Sequence, residues 1–205
     1  MSETNGAPAR SDWNPPLRDD VEMQPCIGLL ECCSVARGVA VADAVLWQAQ
    51  VEMLFASPVH PGKYVLLFTG SVEDVRQGLE RGAAVAEGDL VDRLFIPQVH
   101  PQVPLGLRRR GGQIQGRLDA IGVVETTTVA SAISAADLAL KTATVDLLDL
   151  RIANGLGGKS FFTITGGVAD VRACVTAAAR QCTDAGTLAR DVVIAQPHPD
   201  LVRHL

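Results

Sequence analysis

Aromatic side chains are scarce in this chain: Phe, Tyr and Trp together make up 4% of its 205 residues. The apolar content therefore rests on Ala, Val, Leu and Ile, which suit flat, close-packed interfaces better than ring-lined ligand cages. Positive charge is also short. Eighteen Lys and Arg face 23 Asp and Glu, giving a formal net charge of −5 and an isoelectric point near 5.3. Nucleic acid is excluded as the main partner, because binding phosphate needs a basic face. The one local exception, Arg108-Arg109-Arg110, reads as a solvated linker. No run of about 18 apolar residues is present, so no helical membrane span is expected. The N-terminus lacks the basic and apolar regions of a secretory signal. The five cysteines (Cys26, Cys32, Cys33, Cys174 and Cys182) form no CxxC pair. This usage points to reduced thiols and a cytoplasmic chain. Catalytic signatures are missing as well: there is no GxSxG, no HExxH and no dinucleotide GxGxxG. Gly155-Leu156-Gly157-Gly158-Lys159-Ser160 falls short of a phosphate loop because Ala153 stands where its first Gly belongs.

What the chain does have is a repeat. Ile27-Gly28-Leu29-Leu30-Glu31 returns 94 positions on as Ile121-Gly122-Val123-Val124-Glu125. The match continues through Val35/Val129, Asp43/Asp137, Leu46/Leu140 and Leu54/Leu148. It resumes two positions further out at Gly62/Gly158, Lys63/Lys159, Gly70/Gly166 and Asp74/Asp170, and two further again at Gln98/Gln196 and His100/His198. Two small domains are expected: residues 25–102 and 120–205, after a flexible N-terminal tail (1–24) and around a Gly- and Arg-rich linker (103–119). Units this short bury a thin core and gain by packing on a twin.

Each repeat reads β-α-β-β-α-β. In the first, the apolar run from Cys26 to Glu31 predicts a strand. Ser34 is placed to cap a helix whose apolar positions recur at helical spacing. Val51–Ser57 and Lys63–Thr69 predict strands flanking the loop Pro58-Val59-His60-Pro61-Gly62. Ser71 caps a second helix, and a strand closes at Ile96. The second repeat follows the same plan, with Asn154-Gly155-Leu156-Gly157-Gly158 as its loop. The fold class is α+β, of split βαβ, ferredoxin-like type: a sheet with two helices on one face, made twice.

These features taken together resemble the bacterial microcompartment shell domain: Ile-Gly-(Leu/Val)-(Leu/Val)-Glu, a helix carrying Ala-Asp, a Gly-containing loop, an apolar strand ending in Gly, then Val-x-Asp-Val. Two such domains in one chain resemble the tandem-domain shell proteins, closest to the unpermuted trimers of the propanediol compartment. The resemblance implies a homotrimer whose six domains form a pseudohexameric tile. It implies partnership with other shell proteins, location in a cytoplasmic microcompartment shell, and a central pore passing small metabolites. Pore-lining residues would be Pro58, Val59, His60, Pro61 and Gly62, and Asn154, Gly155, Leu156, Gly157 and Gly158. Edge contacts would fall to Lys141, which matches the family's edge lysine, and to Trp47, Gln98, His100, Gln196 and His198.

No enzyme activity is expected. Glu31 and Glu125, which close equivalent strands without a paired carboxylate, read as residues of a subunit contact. Three copies of His60 on a threefold axis would offer three imidazoles to a divalent metal ion. Some relatives hold an iron–sulfur cluster there through a Cys; His60 replaces it, and no Cys lies in either loop. A second class of function stays open at this point, a trimeric ferredoxin-like regulatory protein that binds small molecules between subunits.

Overall fold

In the computed structural model, residues 17–108 and 118–202 are described. The first domain contains β1 (Ile27–Cys32), α1 (Val35–Gln48), β2 (Glu52–Val59), β3 (Lys63–Thr69), α2 (Val72–Ala86) and β4 (Leu90–Ile96), with a single 3-10 turn before β4. A short helix, α3 (Gln102–Leu107), follows. The second domain repeats the plan with β5 (Ala120–Thr126), α4 (Val129–Thr142), β6 (Val145–Ile152), β7 (Ser160–Gly166), α5 (Val168–Asp184) and β8 (Leu188–Ala195), and ends in α6 (Pro199–Val202). The sheets run β2-β3-β1-β4 and β6-β7-β5-β8, with every neighbouring pair antiparallel. This is the split-βαβ arrangement: each βαβ unit leaves a gap that the third strand fills. No helix among the described residues is long and apolar enough to cross a membrane.

Local chemistry sets the helix starts. Ser34, Ser71 and Thr128 sit in extended backbone, and each hydroxyl accepts the N–H three residues on. Those bonds satisfy donors that the first turn leaves free. The central strand β1 is buried along its whole length, which explains an apolar run that does not alternate: both faces are covered. Leu30, Leu66 and Phe68 meet Val41, Val45, Val75 and Leu79 from the helices. The other face carries Leu29, Leu54 and Leu67. It joins one continuous core that runs through the second domain to Ile133, Leu147 and Phe162.

Two segments depart from the sequence reading. The end of the expected tail is not free: Leu17 and Val21 are buried in the shared core, and the Arg18 N–H donates to the Leu54 carbonyl at 2.9 Å. Two isolated apolar residues among polar ones carry no periodicity, so a tertiary groove decides their fate. The expected linker opens as α3, whose Val103 and Leu107 are buried. Its Gly106 lies so close to β6 that a Cβ there would come 2.5 Å from Leu147 Cδ2. Arg108, read as part of a solvated cluster, donates to the Val21 carbonyl at 2.8 Å. Residues 1–16 and 109–117, which hold the rest of the tail and linker with Trp13, Arg109 and Arg110, lie outside the described residues.

Candidate functional site

The strongest constellation is the seam where the first domain meets the second. Glu31, at the end of β1, is completely buried. Lys63 Nζ donates to its Oε1 at 2.7 Å, and the Val129 N–H donates to its Oε2 at 2.8 Å. Val129 is the first residue of α4, so the carboxylate caps the positive end of a helix in the other domain. Burial pushes the Glu31 carboxyl up, and the bonds from Lys63 and Val129 pull against it. Lys63 also donates to the Thr127 carbonyl at 3.3 Å. Further along the seam, Asp92 on β4 accepts from Thr128 Oγ1 at 2.5 Å and from Ser131 Oγ at 3.1 Å.

At the far end of α4, Asp137 is buried. It accepts the His100 N–H at 2.7 Å and Lys141 Nζ at 2.6 Å. Lys141 also donates to the Gln98 carbonyl. Three of the expected edge residues, Lys141, Gln98 and His100, thus meet inside the chain. The imidazole of His100 accepts the Gln102 N–H at 3.3 Å, just as His198 accepts that of Asp200 at 3.2 Å. The other three remain on the surface: Trp47 is 85% exposed, and Gln196 and His198 are exposed beyond β8. Asp92 and Thr128 were not legible as seam residues, because the match between repeats does not extend to them. Asp137 carried a signal in its pairing with Asp43.

The two hairpin loops lie side by side. A Cβ on Gly158 would sit 2.7 Å from Pro61 Cδ, so the β2–β3 turn rests on the β6–β7 turn. Pro58 and Val59, expected in a loop, belong to β2, paired with Tyr64 and Lys63. The turn proper is His60-Pro61-Gly62, all exposed, with Gly62 at a φ of 99° that favours glycine. In the second domain the turn is longer and holds Gly155, Gly157 and Gly158 at positive φ. Leu156 is half-buried between them. The polar groups in these turns are the His60 imidazole, the Asn154 side-chain amide and backbone N–H groups. No group of three or more His, Cys, Asp or Glu side chains able to hold a metal ion occurs among the described residues.

Two tandem split-βαβ domains, joined by a polar seam over a shared apolar core and presenting paired hairpins, define a duplicated α+β domain of the microcompartment type. The BMC domain model matches residues 26–99 and 120–197, and the chain belongs to that family, with the domain present twice. Over 183 residues, covering 89% of this chain and 98% of the relative, it is 36% identical to the bacterial microcompartment shell protein PduT of Citrobacter freundii. It is 29% identical to the carboxysome assembly protein CcmO of a Synechocystis strain, over 85% of this chain and 62% of that one. A crystal structure of a microcompartment protein from Desulfitobacterium hafniense superposes with a TM-score of 0.74 at 43% identity, covering 87% of this chain and 98% of that one.

Proposed function

We propose that this protein is a structural tile of a bacterial microcompartment shell, in which three copies close head to tail into a pseudohexamer around a central pore. One observation carries the reading: equivalent helices are buried unequally. Val39 on α1 is 54% exposed and its counterpart Ile133 on α4 is fully buried; Leu46 is 50% exposed and Leu140 only 6%. The complementary surface is unequal too, since Leu94 on β4 is 5% exposed and its counterpart Val192 on β8 is 43%. The first domain covers α4, and nothing among the described residues does the same for α1. An uncovered acceptor at one end and an uncovered donor at the other make a heterologous contact, which closes into a ring when the rotation between copies is a whole fraction of a turn. Relatives named as shell proteins supply the setting, and two domains per chain would give a ring of six from three copies.

In such a ring the neighbouring hairpins, with Pro61 against Gly158, alternate around the axis and line a passage for small metabolites. The exposed His60 then stands three times at one level. Each chain offers one imidazole, so the site would exist only in the trimer. Three nitrogen ligands and no thiolate fit a divalent ion such as zinc, with a fourth position for water, and do not fit an iron–sulfur cluster.

Native mass spectrometry of zinc-treated protein tests both parts. The expected mass is three times the 21.6 kDa of one chain, plus one metal ion. A monomer at all concentrations would overturn the tile. His60→Ala should keep the trimer and lose the stoichiometric ion; retained uptake would remove His60 from the site.

A further inference from the structure

The seam within the chain has a vacant duplicate. Most of the residues that form it are identical in the two repeats: Glu31 and Glu125, Lys63 and Lys159, Asp137 and Asp43, His100 and His198. The second set keeps Glu125, Lys159, Asp43 and His198 but is half-used. Lys159 Nζ donates to Glu125 Oε1 at 2.9 Å, repeating the Lys63–Glu31 pair. Yet Glu125 is 35% exposed where Glu31 is fully covered. Asp43 is exposed where Asp137 is buried.

We infer that the ring closes through the hydrogen bonds of the intrachain seam, reproduced between copies. Glu125 of one copy accepts the Val35 N–H of the next and caps its α1. Lys159 donates to that copy's Cys33 carbonyl. Asp43 of the next copy accepts the His198 N–H of the first. All three bonds run in one direction, from the second domain of one chain to the first domain of another, as the contact of a head-to-tail ring must. The seams differ at three bonding side chains: Arg190 stands in place of Asp92, Arg37 in place of Ser131 and Trp47 in place of Lys141. Arg37 is already paired within its own chain with Asp89 and Glu87. This inference rests on the proposed tile and assigns the residues that close it.

Two substitutions address opposite ends of one bond. Glu125→Ala removes the acceptor. Val35→Pro removes the N–H and keeps the helix: Val35 is the first helical residue, where proline is favoured, and Ser34 before it has the extended backbone that a following proline requires. Both variants are measured by circular dichroism for folding and by mass photometry across a dilution series for trimer dissociation. A charge-assisted hydrogen bond of this kind sets the scale, so each variant should dissociate at about tenfold or higher concentration than wild type. The double variant should be little weaker than either single one, because both remove the same bond. A wild-type trimer with both variants dissociating as wild type, or with additive losses in the double variant, would overturn the inference and leave the tile standing. A wild type that never forms trimers would overturn the tile itself.

Discussion

At Gly38 one hydrogen decides how α1 meets the sheet. A Cβ there would lie 2.4 Å from the Cβ and Cγ of Tyr64. Those atoms are the stem of a buried side chain and cannot swing aside. Gly38→Ala gains about 1 kcal/mol of helix propensity, but overpacking costs about 1–3 kcal/mol and more at so short a contact, so sterics win. A thermal melt should show a Tm lower by roughly 3 °C or more. Gly88→Ala, with nothing within 4 Å, should melt like wild type; equal melts for both would refute the packing argument. The cysteines follow the same logic. Cys26, Cys32, Cys174 and Cys182 are buried and Cys33 is exposed. Burial pushes the Cys32 thiol up to about 11, so it stays protonated and inert near neutral pH. Cys26 and Cys174, read from their apolar surroundings as small core residues, are buried.

Among the elements, the two first helices carry the clearest lesson. α1 and α4 share length, cap type and apolar spacing, so sequence pattern gives them the same role. α4 is buried on two sides, against its own sheet and against β4 of the first domain, whereas α1 is covered on one. The same substitution should therefore act differently at matched positions. Ile133→Asp places an unpaired charge in the core and should cost several kcal/mol, read as loss of the folded chain in a denaturant melt. Val39→Asp should leave the monomer's melt within about 0.5 kcal/mol of wild type and abolish the trimer on a sizing column. A trimer that survives Val39→Asp would move the subunit contact off α1. Periodicity located both helices and the Ser34 and Ser71 caps. It missed α3, because six residues interrupted by Pro104 and Gly106 are too short to show a period, and packing on β6 and α4 makes the helix worthwhile.

For the whole molecule, one core crosses both domains, while two matched surfaces, the face of α1 and the edge of β8, stay open. In the proposed tile the open face of α1 in one copy meets the open edge of β8 in the next. The trimer expected by native mass spectrometry follows from that imbalance more directly than from any single contact. The proposed ring would also give the hairpins a role: Pro61 on Gly158 makes the two turns neighbours, and closure would set those neighbours around a pore.

The sequence by itself determined the duplication, the β-α-β-β-α-β order of each half, the helix caps and the residues used twice. All of these follow from local pattern, from residue spacing and from comparing the chain with itself. Which of two identical glutamates is buried, where Leu17 and Val21 settle, and why α3 exists were decided by tertiary structure. The physical reason is that burial depends on what another part of the chain, distant in sequence, brings to the same place. Glu31 and Glu125 close equivalent strands and pair with equivalent lysines, and a helix N-terminus arrives within the chain to meet only Glu31.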